Sequence, residues 1–438
     1  MFTLRPSIAT VSYIDDYCLL YRSVFEDVRL YECFKWLHVG IISPLPRKTL
    51  PEIAKLNGLK DGQSLHHFLR DAMWDVKQLR AIRLHLIQVQ IGVRPISLCI
   101  DETGDVKKGN ATDYVAKQYI GNLGKTAKGV VSVNAYAVVD GITYPLLFKI
   151  YKPKSRLKAN DEYQSKPQIA VEMIRDIQAM GFVIERVLAD SLYGESGNFI
   201  EVLHQLKLPY IVAIRSNHGV LMPNGQRVRY NRWHPYDQPL AEHPTQRRYI
   251  REIIFGTRRA VRYYQITKGS TDEPDKTESW FIMSNLSGNI ILSVGTQYTL
   301  RNWIEYGFKQ VKNELGWHDY RLTDYNSIER WWELIFTVYL LVSLHADEFI
   351  ELQRRNPNDS TAAPSPLPFN QHPHWELGAT WKSALNNLRL LLQPYRCWGW
   401  LEVWLQVFPI PGLKRGLHQL MDCMDTFRIL PIPLLKAA

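Results

Sequence analysis

The stretch YTLRNWIEYGFKQVKNELG, residues 298–316, reads as one amphipathic helix. At about 100° per residue from Tyr298, the residues Tyr298, Arg301, Glu305 and Lys312 fall at about 0°, 300°, 340° and 320°, a single narrow stripe. Ile304, Phe308, Val311 and Leu315 fall at roughly 220–280°, an adjacent apolar stripe that packs on a core. The helix is thereby held by one edge, with a carboxylate, a guanidinium, an ammonium and a phenol aligned beside it. Read alone, it is equally a surface helix with ordinary charge pairs such as Glu305 with Lys309.

The rest of the chain sets the context. Its 438 residues, 46% hydrophobic, suffice for several domains with a sizeable core. A net charge of +10 points to a polyanionic partner, nucleic acid before membrane. Cys18, Cys33, Cys99, Cys397 and Cys423 are scattered, without the spacing of a zinc site or a disulfide framework. The most apolar run, Leu334 to Leu344, is too short to span a bilayer. The expectation is a soluble, basic protein of a reducing cytoplasm, with no membrane partner.

Residues 1–93 have helical texture. Within them TLPEIAKLNGLKDGQSLHHFL, residues 49–69, has the form of a helix-turn-helix. Thr49 is placed to cap a helix with Pro51 and Glu52 in its first turn, and Gly58 to Gly62 make the turn. Such a pair either presents its second helix to a DNA major groove or is an ordinary helical hairpin. From residue 94 strands dominate. An apolar run ends at Asp101, a hairpin turns at Asp140-Gly141, and Val183 to Ala189 is a buried-strand pattern ending at Asp190. Strands and helices then alternate as in a mixed sheet with helices packed on it.

Residues 215–270 hold eleven basic residues against three acidic ones, with arginines and aromatics interleaved around Gly256. Arg258, Arg259 and Arg262 are candidate phosphate contacts, the alternative being a solvated hairpin. A Pro/Ser/Asn-rich stretch precedes a C-terminal region whose Trp381, Trp398, Trp400 and Trp404 suit packing or dimerisation.

Asp101 and Asp190 each end an apolar strand run, and Glu305 comes from the following helix. Three carboxylates from separate elements are what Mg²⁺ sites for displacement at phosphorus require. In these contexts (CIDETG, LADSLYG and the Y-x2-R-x3-E-x6-K helix) the chain resembles DDE transposases, in particular the YREK-signature branch encoded by bacterial insertion sequences. The K-K-G of Lys107 to Gly109 and the Q-Y-I-G of Gln118 to Gly121 belong to the same resemblance. Glu102 beside Asp101 is turned to the opposite face by strand alternation.

The resemblance implies an α/β, mixed α+β fold: a ribonuclease H-like core with a β-rich insertion, flanked by helical regions. Its parts are the helical N-terminal DNA-binding region (1–93), the first part of the core (94–214), the basic insertion (215–277), the rest of the core (278–350), a linker (351–374) and a helical C-terminal region (375–438). It also implies a catalytic Asp101–Asp190–Glu305 triad holding Mg²⁺, with Mn²⁺ as substitute. Tyr298, Arg301 and Lys312 would hold phosphates of terminal DNA, with Lys107 and Lys108 as further DNA contacts. Trp303 would either stack on a displaced base in a DNA-hairpin excision step or pack against the insertion. The implied activity is cleavage at terminal inverted repeats and joining of 3′-hydroxyl ends to target DNA, by a homodimer associated with the prokaryotic nucleoid. Two other readings are a catalytically silent DNA-binding descendant and a nuclease without strand transfer.

Overall fold

Side-chain caps open several helices of the computed structural model, which describes residues 5–238, 245–354, 372–378 and 380–424. Five helices come first: α1 (Ser12–Leu19), α2 (Val28–Ile42), α3 (Leu50–Leu56), α4 (Gln63–Arg70) and α5 (Val76–Ile91). Asp27 and Asp75 start α2 and α5 by accepting from the Arg29 and Lys77 amides. Thr49 does precede α3, with Pro51 in the first turn, but its hydroxyl makes no capping bond. The strand region follows with β1 (Ile96–Val106), β2 (Ala116–Ile120), β3 (Lys125–Val139), β4 (Ile142–Ile150), α6 (Lys166–Ala179), β5 (Ile184–Ala189), α7 (Ser191–Gly194), α8 (Gly197–Gln205) and β6 (Tyr210–Ile214). Next are β7 (Val228–Tyr230), β8 (His234–Gln238), β9 (Gln246–Phe255), β10 (Arg262–Thr267), β11 (Ser279–Ser284), α9 (Val294–Thr299) and α10 (Asn302–Lys309). A π-helical turn (Gln310–Glu314), α11 (Tyr325–Arg354), α12 (Trp381–Val407) and α13 (Pro411–Met424) complete the described chain.

Two compact units result: a sheet unit of residues 93–308 and a helical unit of residues 1–92 with 309–438. Residues 309–350 thus join the N-terminal helices, although the sequence groups them with the core.

In the sheet unit, β4-β3-β1-β5-β6 form a mixed sheet in which β1, β5 and β6 run parallel and β3 runs against its neighbours. This is a ribonuclease H-like core. Asp140 and Gly141 take positive φ values of 50° and 79°, the geometry of a two-residue hairpin turn, and so set β3 against β4. The helix α6 provides the crossover that a parallel β1–β5 pair needs. The insertion is not a separate body. Its strands extend the same sheet through β11, which pairs antiparallel with β6, to give eleven strands in all.

The helical unit is built on α11. Trp331, Trp332 and Tyr339 are fully buried, and Trp317 stacks on Trp332 at 4.3 Å. Glu333, also fully buried, is held by Arg83 at 2.6 Å and Arg80 at 2.8 Å, which ties α5 to α11. Removing one member of such a group leaves a buried charge unpaired, a loss of about 3–5 kcal/mol. Trp381 stacks on Tyr339 at 4.5 Å, whereas Trp400 and Trp404 are 62% and 65% exposed. Residues 355–371, most of the expected linker, lie outside the described residues, as do 425–438. Among the described residues no helix is long and apolar enough to cross a membrane.

Two buried histidines make this unit sensitive to acid. The His38 ring lies 2.8 Å from the Phe34 carbonyl through Nδ1, and His345 lies 2.7 Å from the Leu341 carbonyl. Burial pushes both down to about 4, so both are neutral in the fold. An unfolded histidine titrates near 6.5, so their contribution is complete above that pH and is lost as pH falls towards 4, up to about 3 kcal/mol each. The urea midpoint should therefore drop between pH 7 and pH 4.5, and drop less in His38→Asn and His345→Asn proteins. An equal drop in wild type and variants would dismiss these histidines as the cause.

Candidate active site

The two aspartates are set by the parallel register of β1 and β5. Its last pair is Ile100 with Ala189, and the next residue on each strand is an aspartate. Adjacent strands lie about 4.8 Å apart, so Asp101 and Asp190 emerge side by side. Asp101 does not end its strand, as the apolar run suggests. β1 continues to Val106 because β3 keeps pairing with it, Asp101 opposite Asn134 and Val106 opposite Gly129. Asp190 does leave the sheet, and caps α7 by accepting from the Leu192 amide at 2.9 Å. Glu102 turns to the other face, where it meets Lys166 at 3.1 Å and the Tyr193 hydroxyl at 3.2 Å.

The segment 298–316 is not one continuous helix. α9 ends at Thr299, and bonds from the Leu300, Arg301, Trp303 and Ile304 amides to carbonyls three residues back (3.0–3.2 Å) tighten the chain before and into α10. Arg301 sits in that tightened turn. Its guanidinium donates to Asp101 Oδ2 at 3.2 Å and to Glu305 Oε1 at 2.6 Å. The helix α10 is seated by Ile304 and Phe308, the latter edge-on to Tyr136 of β3 at 5.9 Å. Gly307 lies on the same ring: a Cβ there would come within 2.8 Å of Tyr136 Cε1. A glycine inside a helix lowers its stability by about 1 kcal/mol, which makes Gly307 a readable sign of close packing. The sequence reading missed both Gly307 and Tyr136.

The electrostatics tie these groups together. Burial, reinforced by Asp190 and Glu102 and opposed by Arg301, pushes the Asp101 carboxyl up to about 7. The Tyr298 hydroxyl is pushed up to about 12 by burial, with Arg301 opposing and Asp190, Asp101 and Glu305 adding to the rise. Burial works against the Arg301 charge, but Tyr298 and the same three carboxylates outweigh it and hold its pKa above the usual value. Asp101 and Arg301 are mostly buried, whereas the Glu305 side chain is 51% exposed.

Among the described residues no three His, Cys, Asp or Glu side chains converge closely enough to hold a metal ion as they stand. Arg301 bridges Asp101 and Glu305 instead. The donor chemistry nevertheless fits a hard divalent cation: two adjacent carboxylates, one of them buried and reluctant to carry its charge alone, and a third on a long exposed side chain.

Other candidates are dispersed. Lys107 pairs with Asp105 at 2.8 Å, and Lys108 is exposed. Lys312 is half-buried in the π-helical turn, within the helical unit. Trp303 is half-buried and edge-on to Tyr306 at 5.8 Å, and a Cβ on Gly141 of the β3–β4 hairpin would lie 3.9 Å from its ring. Arg262 is buried, and with Arg258 it clamps Glu252, each at 2.9 Å. Arg262 is thus committed within the sheet, because strand alternation turns it inward with Tyr264. Arg258 and Arg259 stay exposed, Arg259 donating to the Leu221 carbonyl at 2.7 Å. Arg251 lies 4.3 Å from the rings of both Tyr230 and Trp233, and Arg248 lies 4.4 Å from Trp280. Much of the basic cluster is therefore used to bind the insertion together.

Known proteins give this geometry its family. A family model described as DDE superfamily endonuclease matches residues 29–271. A curated protein of Microchaete diplosiphon, "Probable transposase for insertion sequence element IS701", is 54% identical over 326 residues, 74% of this chain and 86% of that one. With more than half of the chain matched and a relative this similar over most of both lengths, the chain belongs to the DDE superfamily endonucleases, among the transposases of insertion sequences.

Proposed function

We propose that this protein cleaves the phosphodiester bond at each terminal inverted repeat of its element and joins the freed 3′-hydroxyl to target DNA. The observation that carries this is the parallel register that sets Asp101 beside Asp190, with Glu305 linked to Asp101 through Arg301. In this reading Asp101, Asp190 and Glu305 hold Mg²⁺, or Mn²⁺ in its place. Ions bound there supply activation of the attacking oxygen and stabilisation of the leaving one.

The chain's own residues do the rest. β1 and β5 hold two carboxylates on a rigid sheet, and Tyr136 fixes the level of α10 and so of Glu305. A DNA phosphate offers the Arg301 guanidinium a bidentate alternative to its single bonds with Asp101 and Glu305, so substrate arrival and release of the two carboxylates are linked. Tyr298 binds a further phosphate, and Lys312 of the helical unit is a separate DNA contact. The exposed face of α4, with Gln63, Ser64, His66, His67 and Arg70, supports contact with DNA by the helix-turn-helix. The protein acts as a homodimer, one copy at each element end; the exposed Trp400, Trp404 and Phe408 support a contact between copies.

On terminal-repeat DNA, Asp101→Ala, Asp190→Ala and Glu305→Gln should each lower Mg²⁺-dependent nicking by about 10²- to 10³-fold, on the scale of lost charge stabilisation at a reacting centre. Cleavage that survives all three substitutions would eliminate this site. Chelation should stop the reaction and Mn²⁺ should restart it. Joining of precut ends to a plasmid separates a transposase from a nuclease, and tight binding without cleavage would mark a silent descendant. In Gly307→Ala the Tyr136 ring must push α10 away, so cleavage should fall by about 10- to 100-fold with fold and DNA binding intact. Full activity in that variant would refute the seating of Glu305 by α10.

A further inference from the structure

The K-K-G and Q-Y-I-G stretches have no part in the cleavage chemistry, yet the structure gives them a common setting. They flank or form a two-stranded ribbon made of β2 and the start of β3, paired from Ala116 with Gly129 to Ile120 with Lys125. Residues 106–158, which contain it, hold ten lysines and arginines against two aspartates. That excess equals the one in the arginine-rich insertion, but it is disposed differently. The insertion packs Arg248, Arg251 and Arg262 against aromatic rings and Glu252, whereas Lys108, Lys117 and Lys125 project into solvent.

The ribbon is fixed in place. Ile120 is fully buried over Gly104 of β1 and Gly129 of β3, and a Cβ on either glycine would come within 2.8 Å of its side chain. Alternation then turns Lys117 and Tyr119 outward, and Tyr119 is 55% exposed. On that outer side Lys117 stands directly opposite Lys128. Like charges so placed destabilise an antiparallel pair. Lys128 reaches the Asn110 side chain at 2.7 Å, and Lys117 has no ion-pair partner among the described residues. A local rule broken on a rigid, exposed element marks a functional surface, and the missing counter-charge identifies its partner as a polyanion.

We propose that the β2–β3 ribbon holds the phosphate backbone of the duplex that flanks the cleaved bond. This rests on the reading that Asp101 marks that bond. The ribbon lies on the continuation of the strands that carry Asp101 and Asn134. Counted along β3 from Asn134, Lys128 is six residues on and Lys125 is nine, or about 20–30 Å at the rise of a strand. At about 3.4 Å per base pair this is about six to nine base pairs of DNA.

The test compares the full-length protein with a Lys117→Gln variant on duplexes whose flanks extend about 3 or about 12 base pairs beyond the cleaved bond on either side. Binding is followed by fluorescence anisotropy over a range of salt. With the long flank on one side, the slope of log Kd against log salt should fall by about 1 in the variant; with the short flanks the two proteins should bind alike. An unchanged slope, or a loss independent of flank length, overturns the proposal. The variant without DNA should melt at or above the wild-type temperature, since a repulsion has been removed; a lower melting temperature would make the pair a folding element and also overturn it. Cleavage by Asp101→Asn, measured in parallel, reports on the site reading, so the two ideas fail separately.

Discussion

The parallel pairing of β1 with β5 is the constraint on which the rest depends. A parallel pair cannot be closed by a tight turn, so it requires α6 as crossover, and its register decides which residues leave the sheet together. A slip of one residue would send Asp101 to the other face and bring Glu102 beside Asp190. The buried runs Ile96–Ile100 and Val187–Ala189 prevent such a slip, because every apolar side chain would move with the carboxylates.

Arg301 is the second fixed point. A buried carboxyl beside another aspartate is a poor place for a negative charge, and the guanidinium makes it tolerable by bonding Asp101 and Glu305 at once. The same geometry defines what any cation entering the site must displace. The cation must offer the two carboxylates more than Arg301 does, and the guanidinium must find another anion. In the proposed function a phosphodiester backbone meets the second condition, which would couple nucleic acid and metal through one side chain.

Much of this was readable from residues alone, and the failures have physical causes. The apolar runs before Asp101 and Asp190, the Asp140-Gly141 turn and the stripe Ile304, Phe308, Val311, Leu315 are period-2 and helical signals, and all four stripe residues are buried. The continuation of β1 past Asp101 was hidden because Glu102, Gly104 and Asp105 look like a turn; only the long partner β3 makes them a strand. The helix break at Leu300–Arg301 was hidden because a tightened turn before α10 and a loosened one after it alter the phase in opposite senses. In the insertion, composition counted the arginines but could not separate those facing water from those facing Glu252 or an indole. That distinction needs strand register, and charge counts contain none.

The insertion leaves the core after β6 and returns as β11, and these two strands are direct neighbours, Ile214 opposite Phe281 and Ile211 opposite Ser284. Its entrance and exit therefore share one doorway in the sheet. The cost of closing such an excursion rises only slowly with its length. The strands beyond the doorway can be lengthened, trimmed or rewritten over evolutionary time while α10 still starts from the same place and Glu305 keeps its height above the aspartates. Chemistry and adaptable surface thus occupy one continuous sheet, yet they are free to diverge at different speeds.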